Sequence, residues 1–75
     1  MAKRIIWNSR EIVVLEGYES IQNQCAAGDA AVSYFNGKDE SDGWGVTFVG
    51  EHGSLDGWDE SFATADEAVE SIRHA

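Results

Sequence analysis

Residues 64 to 67 read Thr-Ala-Asp-Glu, the pattern of a capping box. The Thr64 hydroxyl accepts a backbone N–H of the first turn, and the Glu67 carboxylate reaches back to satisfy an N–H at the cap. A helix therefore starts here. Ala65, Ala68, Val69 and Ile72 follow at i, i+3, i+4 and i+7 and form one apolar stripe, while Asp66, Glu67, Glu70 and Arg73 point outward. A single amphipathic helix over Thr64 to His74 has nothing of its own to bury that stripe against, so the rest of the chain must supply a surface. The upstream sequence alternates as strands do. Trp44, Val46 and Phe48 share one face of a strand and Gly45, Thr47 and Val49 the other, and Ala30 to Asn36 alternates likewise. Arg4 to Trp7 and Ile12 to Leu15 are β-prone and flank a polar turn at Asn8 to Arg10, which reads as a hairpin. The predicted fold is α+β: a small antiparallel sheet of about three to five strands with the C-terminal helix packed on one face.

The remaining segments are read from shorter patterns. Tyr18, Ile21 and Cys25 are spaced i, i+3, i+7, Ser20 can cap, and Gly28 with Asp29 can end a helix, so a second short helix is expected from Ser20 to Ala27. Asn36 to Gly43 is a charged hairpin loop, and Gly50 to Gly57 reads as a Gly-rich connection. Trp58 to Phe62 is expected as a short strand, with Trp58, Glu60 and Phe62 on one side. One triplet recurs, Asp42-Gly43-Trp44 and Asp56-Gly57-Trp58, and both copies read as a turn followed by a strand whose first side chain enters the core. Trp44, Val46, Phe48, Phe62, Ala65, Val69 and Ile72 are the expected core.

Seventy-five residues form one domain, because a chain of this size has little surface to bury in a second core. At 43% hydrophobic, the chain carries enough apolar material to fold without a metal or disulfide. Cys25 has no partner cysteine, which points to a reducing cytoplasm. The apolar stretch after Lys3 and Arg4 stops at Trp7, short of a signal sequence, and no apolar run approaches the length of a membrane span. Localisation is therefore expected to be cytoplasmic.

Charge is the informative feature. The formal net charge is −9, which opposes direct binding to nucleic acid or to an anionic membrane. Asp39, Glu40, Asp42, Glu51, Asp56, Asp59, Glu60, Asp66, Glu67 and Glu70 follow one another with no Lys or Arg between Asp39 and Ile72. Lys3, Arg4 and Arg10 sit at the other end. Asp66 and Glu67 complement the positive end of the helix dipole, but Glu70 one turn later repels both at a cost of about 0.2–0.5 kcal/mol each. The segregation also exceeds what solubility asks, since a net charge of magnitude ~2–8 suffices for a small domain.

Three readings of this pattern compete. The acid is a solvated face; or its carboxylates stand in for phosphates and occupy the DNA groove of a basic protein; or an exposed Trp44 or Trp58 anchors a protein contact and the acid is secondary. In size, net charge, lack of cysteine pairs and compact α+β pattern, the chain resembles the small acidic inhibitors that phages and mobile elements encode against host defences, including many anti-CRISPR proteins and the DNA-mimic antirestriction proteins. That resemblance rests on profile and not on a shared motif. It implies a stoichiometric inhibitor that blocks DNA access on a CRISPR effector complex or a similar nuclease, without catalysis and without a cofactor. From the charge pattern the expected contact set is Asp39, Glu40, Asp42, Asp56, Asp59, Glu60, Asp66, Glu67 and Glu70, facing the basic surface of a nucleic-acid-binding protein or complex, with Trp44 and Trp58 added as candidate aromatic anchors. A monomer or a homodimer paired through a sheet edge is compatible with this.

Familiar chemistry is hard to place on this chain. His52 and His74 with one cysteine do not supply a zinc set of known spacing. Aligning Gly43 with the glycine of a calcium loop puts Lys38 and Val49 at ligand positions, which excludes an EF-hand. Asp59 and Glu60 would alternate across a strand and so not share an acid–base role. Cys25 with His52 is a nominal nucleophile and base, but a small buried residue is the expected role of Cys25. No enzymatic activity is expected.

Overall fold

The computed structural model describes residues 2–16, 19–35 and 40–74. Five strands, β1 (Lys3–Trp7), β2 (Arg10–Val14), β3 (Ala30–Tyr34), β4 (Trp44–Val49) and β5 (Leu55–Gly57), form one sheet in the order β1-β2-β3-β4-β5. Helix α1 (Ile21–Gln24) lies between β2 and β3, and α2 (Ala65–Arg73) ends the fold. The α+β expectation holds. Three pairings are antiparallel; β2 and β3 run parallel, with Val13 opposite Ala31. The parallel step follows from the spacing, because parallel neighbours need a crossover of a dozen or so residues and residues 15–29 provide one.

The β1–β2 hairpin closes through Asn8 and Ser9, both at positive φ (46° and 63°). These are the two left-handed positions of a type I′ turn, whose twist matches that of the flanking strands. The turn makes Trp7 and Arg10 partners and fixes the register down to Lys3 opposite Val14.

One face of the sheet carries Ile12, Ala30, Val32 and Val46, which pack with Ala68, Val69 and Ile72 of α2. The capping box forms as read, with one shift. The Glu67 amide donates to Thr64 Oγ1 at 3.2 Å, while the Glu67 carboxylate accepts the N–H of Ala63 rather than that of the cap. Of the expected core, Val46, Val69 and Ile72 are buried, whereas Trp44, Phe48, Phe62 and Ala65 form a half-buried rim around them. The rim aromatics continue as a row: Trp7 to Phe48 at 6.1 Å, Phe48 to Trp58 at 5.5 Å and Trp58 to Phe62 at 6.5 Å between ring centroids. Tilted contacts of this kind suit the ring quadrupoles.

The opposite face holds Val13, Leu15 and Ala31, covered by Ile21 and Cys25 of the crossover. Here the expected helix over Ser20 to Ala27 shortens to one turn. Ser20 caps it, accepting from the Asn23 amide at 3.2 Å, but Cys25 is already extended (φ −115°, ψ 145°). The chain must turn there to bring Cys25 under β2 and β3, and Asp29 stabilises the turn by accepting the Ala26 amide at 2.9 Å. Tyr18, the first residue of the spacing that suggested that helix, and Asn36 to Asp39 of the charged loop lie outside the described residues.

The expected connection Gly50 to Gly57 and strand Trp58 to Phe62 need correction. The turn occupies Gly50 to Gly53, closed by the Gly50 amide donating to Ser54 O at 2.7 Å, and Leu55–Gly57 are already paired to β4. The Trp58 amide still donates to Val46 O at 2.9 Å. The chain then leaves the sheet and returns at Phe62, which exchanges two hydrogen bonds with Trp44 at 2.7 and 2.8 Å. Four steps along the chain thus face two along β4, and the surplus at Asp59 to Ser61 bulges outward. Trp58 and Phe62 do keep the same face. The strand was misplaced because Leu55 is its one apolar residue, too little for a period-2 signal.

The two Asp-Gly-Trp triplets therefore differ. Gly43 follows a 3-10 turn (Glu40–Asp42) at φ 87°, and a Cβ there would stand 2.9 Å from Phe62 O. Gly57 lies within β5, where a Cβ would meet Thr47 Oγ1 at an ordinary 3.6 Å. Gly43→Ala is expected to lower unfolding free energy by ~2 kcal/mol or more, since it combines left-handed strain with a backbone clash; Gly57→Ala should stay within ~0.5 kcal/mol. Urea denaturation followed by tryptophan fluorescence separates them. By the same measurement Thr64→Ala should cost ~1 kcal/mol through loss of the cap.

Candidate functional site

The bulge lies beside α2 because both are fixed to the same strand: Trp58 and Phe62 by backbone bonds to β4, and α2 by packing on β3 and β4. Two shallow grooves result. One is lined by Trp58, Asp59, Glu60, Ser71 and His74; the other has Phe62 as an apolar floor, with Asp66, Glu67, Glu70, Ser71 and His74 around it. Ser71 and His74 line both, so the two grooves adjoin. They gather five of the expected contact acids, Asp59, Glu60, Asp66, Glu67 and Glu70, from two chain segments. All five are exposed.

Local structure accounts for part of this charge. Glu67 accepts the Ala63 amide, and Glu70 is met by Arg73 Nη1 at 3.5 Å and His74 Nε2 at 3.2 Å. Among the described residues no cation lies within ion-pair distance of Asp59, Glu60, Asp66 or Glu67. These carboxylates face solvent beside an apolar floor.

The other expected contact residues are placed differently. Asp42 is exposed at the end of the 3-10 turn, which reaches the bulge through Gly43, next to Ser61 and Phe62. Glu40 opens the same turn, and Asp39 lies outside the described residues. Asp56 is exposed on β5 opposite Phe48, outside both grooves. Trp44 stacks edge-on against Tyr34 at 4.8 Å and packs on the core, lining neither groove. Trp58 is half-buried and shows one side to the groove beside Asp59. Neither tryptophan stands out as an exposed anchor. Sequence reasoning missed Phe62, taken as core, together with Ser71 and His74. The signal for His74 was its i+4 spacing from Glu70.

Lys3, Arg4 and Arg10 occupy the far side of the sheet, on β1 and β2, whereas Arg73 stays on α2 against Glu70. Arg4 on the edge strand β1 donates to Glu11 Oε2 at 2.9 Å, to Gln24 O at 2.9 Å and to Gln24 Oε1 at 3.3 Å, tying the hairpin to α1. The Arg10 side chain lies along Gly28. The segregation seen along the chain is thus largely spatial as well, with β1 and β2 carrying Lys3, Arg4 and Arg10 and the β4–β5–α2 end most of the acid.

Among the described residues no cluster of His, Cys, Asp and Glu has the geometry to hold a metal ion, and no helix is long and apolar enough to cross a membrane. His52 is exposed in the β4–β5 turn, while Cys25 lies beneath β2 and β3. Burial and the Asp29 carboxylate push the Cys25 thiol above its ordinary value. No protein-family model, characterised protein sequence or solved structure matches this chain. With its thiol protonated and half-covered, Cys25 should react with iodoacetamide at pH 8 several-fold more slowly than a cysteine in an unstructured peptide. Unfolding in urea should abolish the difference, as mass spectrometry of the alkylated protein will record.

Proposed function

We propose that this protein is a non-catalytic, acidic protein-binding domain that occupies the nucleic-acid-binding surface of a basic partner. The observation that carries the reading is the convergence of Asp59, Glu60, Asp66 and Glu67, without cationic partners among the described residues, around the apolar floor of Phe62 and the exposed side of Trp58. A lysine or arginine has the complementary shape: an apolar stem that lies along an aromatic ring and a charged head that reaches a carboxylate. A nucleic-acid-binding surface presents several such side chains at once. Carboxylates held in a field like that of a phosphate backbone draw on the same contacts and exclude the nucleic acid.

The overall profile supports extending this reading to an inhibitor of a host defence complex, such as a CRISPR effector, encoded by a phage and acting in the host cytoplasm. A second reading has its own observation in its favour. The floor over Phe62 is apolar, as in a protein interaction module whose affinity comes from an aromatic contact and not from charge.

Salt and charge reversal separate the two. The tagged protein is to be used to capture DNA-binding complexes from bacterial lysates carrying CRISPR effectors or other defence nucleases. The decoy reading expects capture at low salt, loss with rising salt and displacement by duplex DNA. Combined Asp59→Lys, Glu60→Lys and Asp66→Lys, all at exposed positions, should weaken that binding by two orders of magnitude or more, about 1.4 kcal/mol per tenfold. Binding that survives both salt and the triple reversal would assign the contact to the aromatic floor. If no basic complex is retained at low salt, the proposal is wrong.

A further inference from the structure

The edge strand β1 is built differently from the opposite edge. β5 is three residues long and carries Asp56 at its centre, and the bulge at Asp59 to Ser61 follows at once, features that discourage pairing with another chain. β1 is five residues long, regular and free of proline. Its hairpin turn makes Trp7 and Arg10 a hydrogen-bonded pair, so with period 2 the backbone groups of Lys3, Ile5 and Trp7 face β2 and those of Arg4 and Ile6 face outward. The Leu15 amide, which donates across to Val32 O, confirms the phase on the far side of β2. Apolar side chains flank this open edge on both faces. Ile5 and Trp7 are half-buried on the side of α2, and Ile6 on the other side is 76% exposed, the most exposed large hydrophobic among the described residues.

We propose that β1 pairs antiparallel with β1 of a second copy of this chain, across a two-fold axis at Ile5. In that register Arg4 lies opposite the partner's Ile6 and Ile6 opposite the partner's Arg4. All the outward backbone groups of the two residues are then satisfied, in the alternation that an antiparallel ladder requires. Ile5 meets the partner's Ile5, Ile6 gains the stem of the partner's Arg4, and Lys3 comes opposite the partner's Trp7, where an ammonium over an indole is favourable.

Charge selects the same surface and the same occupant. Each copy carries −9, so contact through the α2 end would bring acid against acid. On β1 the Arg4 charge is offset by Glu11 of the adjacent strand, which leaves Lys3 and an apolar centre. This edge is where two copies can approach without placing their acidic ends together. Five paired residues a side give an interface at or below the ~1,200 Å² low end of specific contacts, so the dimer is weak. Because long-range repulsion between two acidic bodies is what salt screens, the dimer strengthens with ionic strength. The acidic groove's complex with a basic partner should do the opposite, and this inference does not depend on that complex.

Sedimentation velocity on the full chain from about 10 µM to about 1 mM, a range that brackets a weak interface, should show a monomer–dimer transition whose midpoint falls as NaCl is raised. Ile6→Lys changes a side chain already in solvent and should move the midpoint up at least tenfold while leaving the monomer's NMR spectrum dispersed. Hydrogen exchange of the Arg4 and Ile6 amides, outward-facing in the monomer, should slow as protein concentration rises. A monomer at all concentrations and salts, a dimer that Ile6→Lys leaves untouched, or a dimer in which those two amides gain no protection would overturn the proposal.

Discussion

The pair of hydrogen bonds between Trp44 and Phe62 determines more of this molecule than any other contact. It closes the segment that follows β5 back onto β4, and so sets where the chain stands when α2 begins at Ala65. Without it, the aromatic row from Trp7 through Phe48 and Trp58 would lose its last member, and the apolar stripe of α2 would have no fixed approach to Val32 and Val46. The bridge depends in turn on Gly43, because a side chain there would collide with the Phe62 carbonyl that accepts one of the two bonds. One glycine, one bridge and one bulge therefore act as a unit, and the acidic grooves are the outer surface of that unit.

Legibility from the sequence varied with the kind of signal. The final helix was readable because its cap, its stripe and its polar face all agree, and β4 was readable because Trp44, Val46 and Phe48 alternate with Gly45, Thr47 and Val49. The hairpin at Asn8 and Ser9 was readable as a turn. β5 was not, since three residues with one apolar side chain become a strand only through the partner that pairs with them. The length of α1 was unreadable for a different reason. Helical spacing of Ile21 and Cys25 was present, but the crossover has to place Cys25 against the underside of the sheet, and that tertiary demand overrides the local preference.

The candidate site was legible as charge and illegible as geometry. The run of acid from Asp39 to Glu70 is plain in the sequence, yet which carboxylates converge is decided by the bulge, and the bulge arises because four steps of chain from Trp58 to Phe62 face two steps of β4 from Val46 to Trp44. Reading Trp58 to Phe62 as a continuous strand would send Asp59 and Glu60 to opposite faces. The parallel step between β2 and β3 contributes at a larger scale. It commits the crossover to one face and leaves α2 the other, so that Arg4 and Arg10 lie against the crossover while most of the acid gathers around the helix.

The bulge has an architectural implication of its own. Both of its ends are held by backbone bonds to the same strand, at Trp58 and at Phe62, so the core constrains the end points and not the path between them. Loop closure grows only slowly more costly with length. Residues 59–61 are thus an insertion point at which the protein could acquire a longer or differently charged recognition loop while sheet, aromatic row and helix stay as they are. A scaffold with such a site can change its partner faster than it changes its fold.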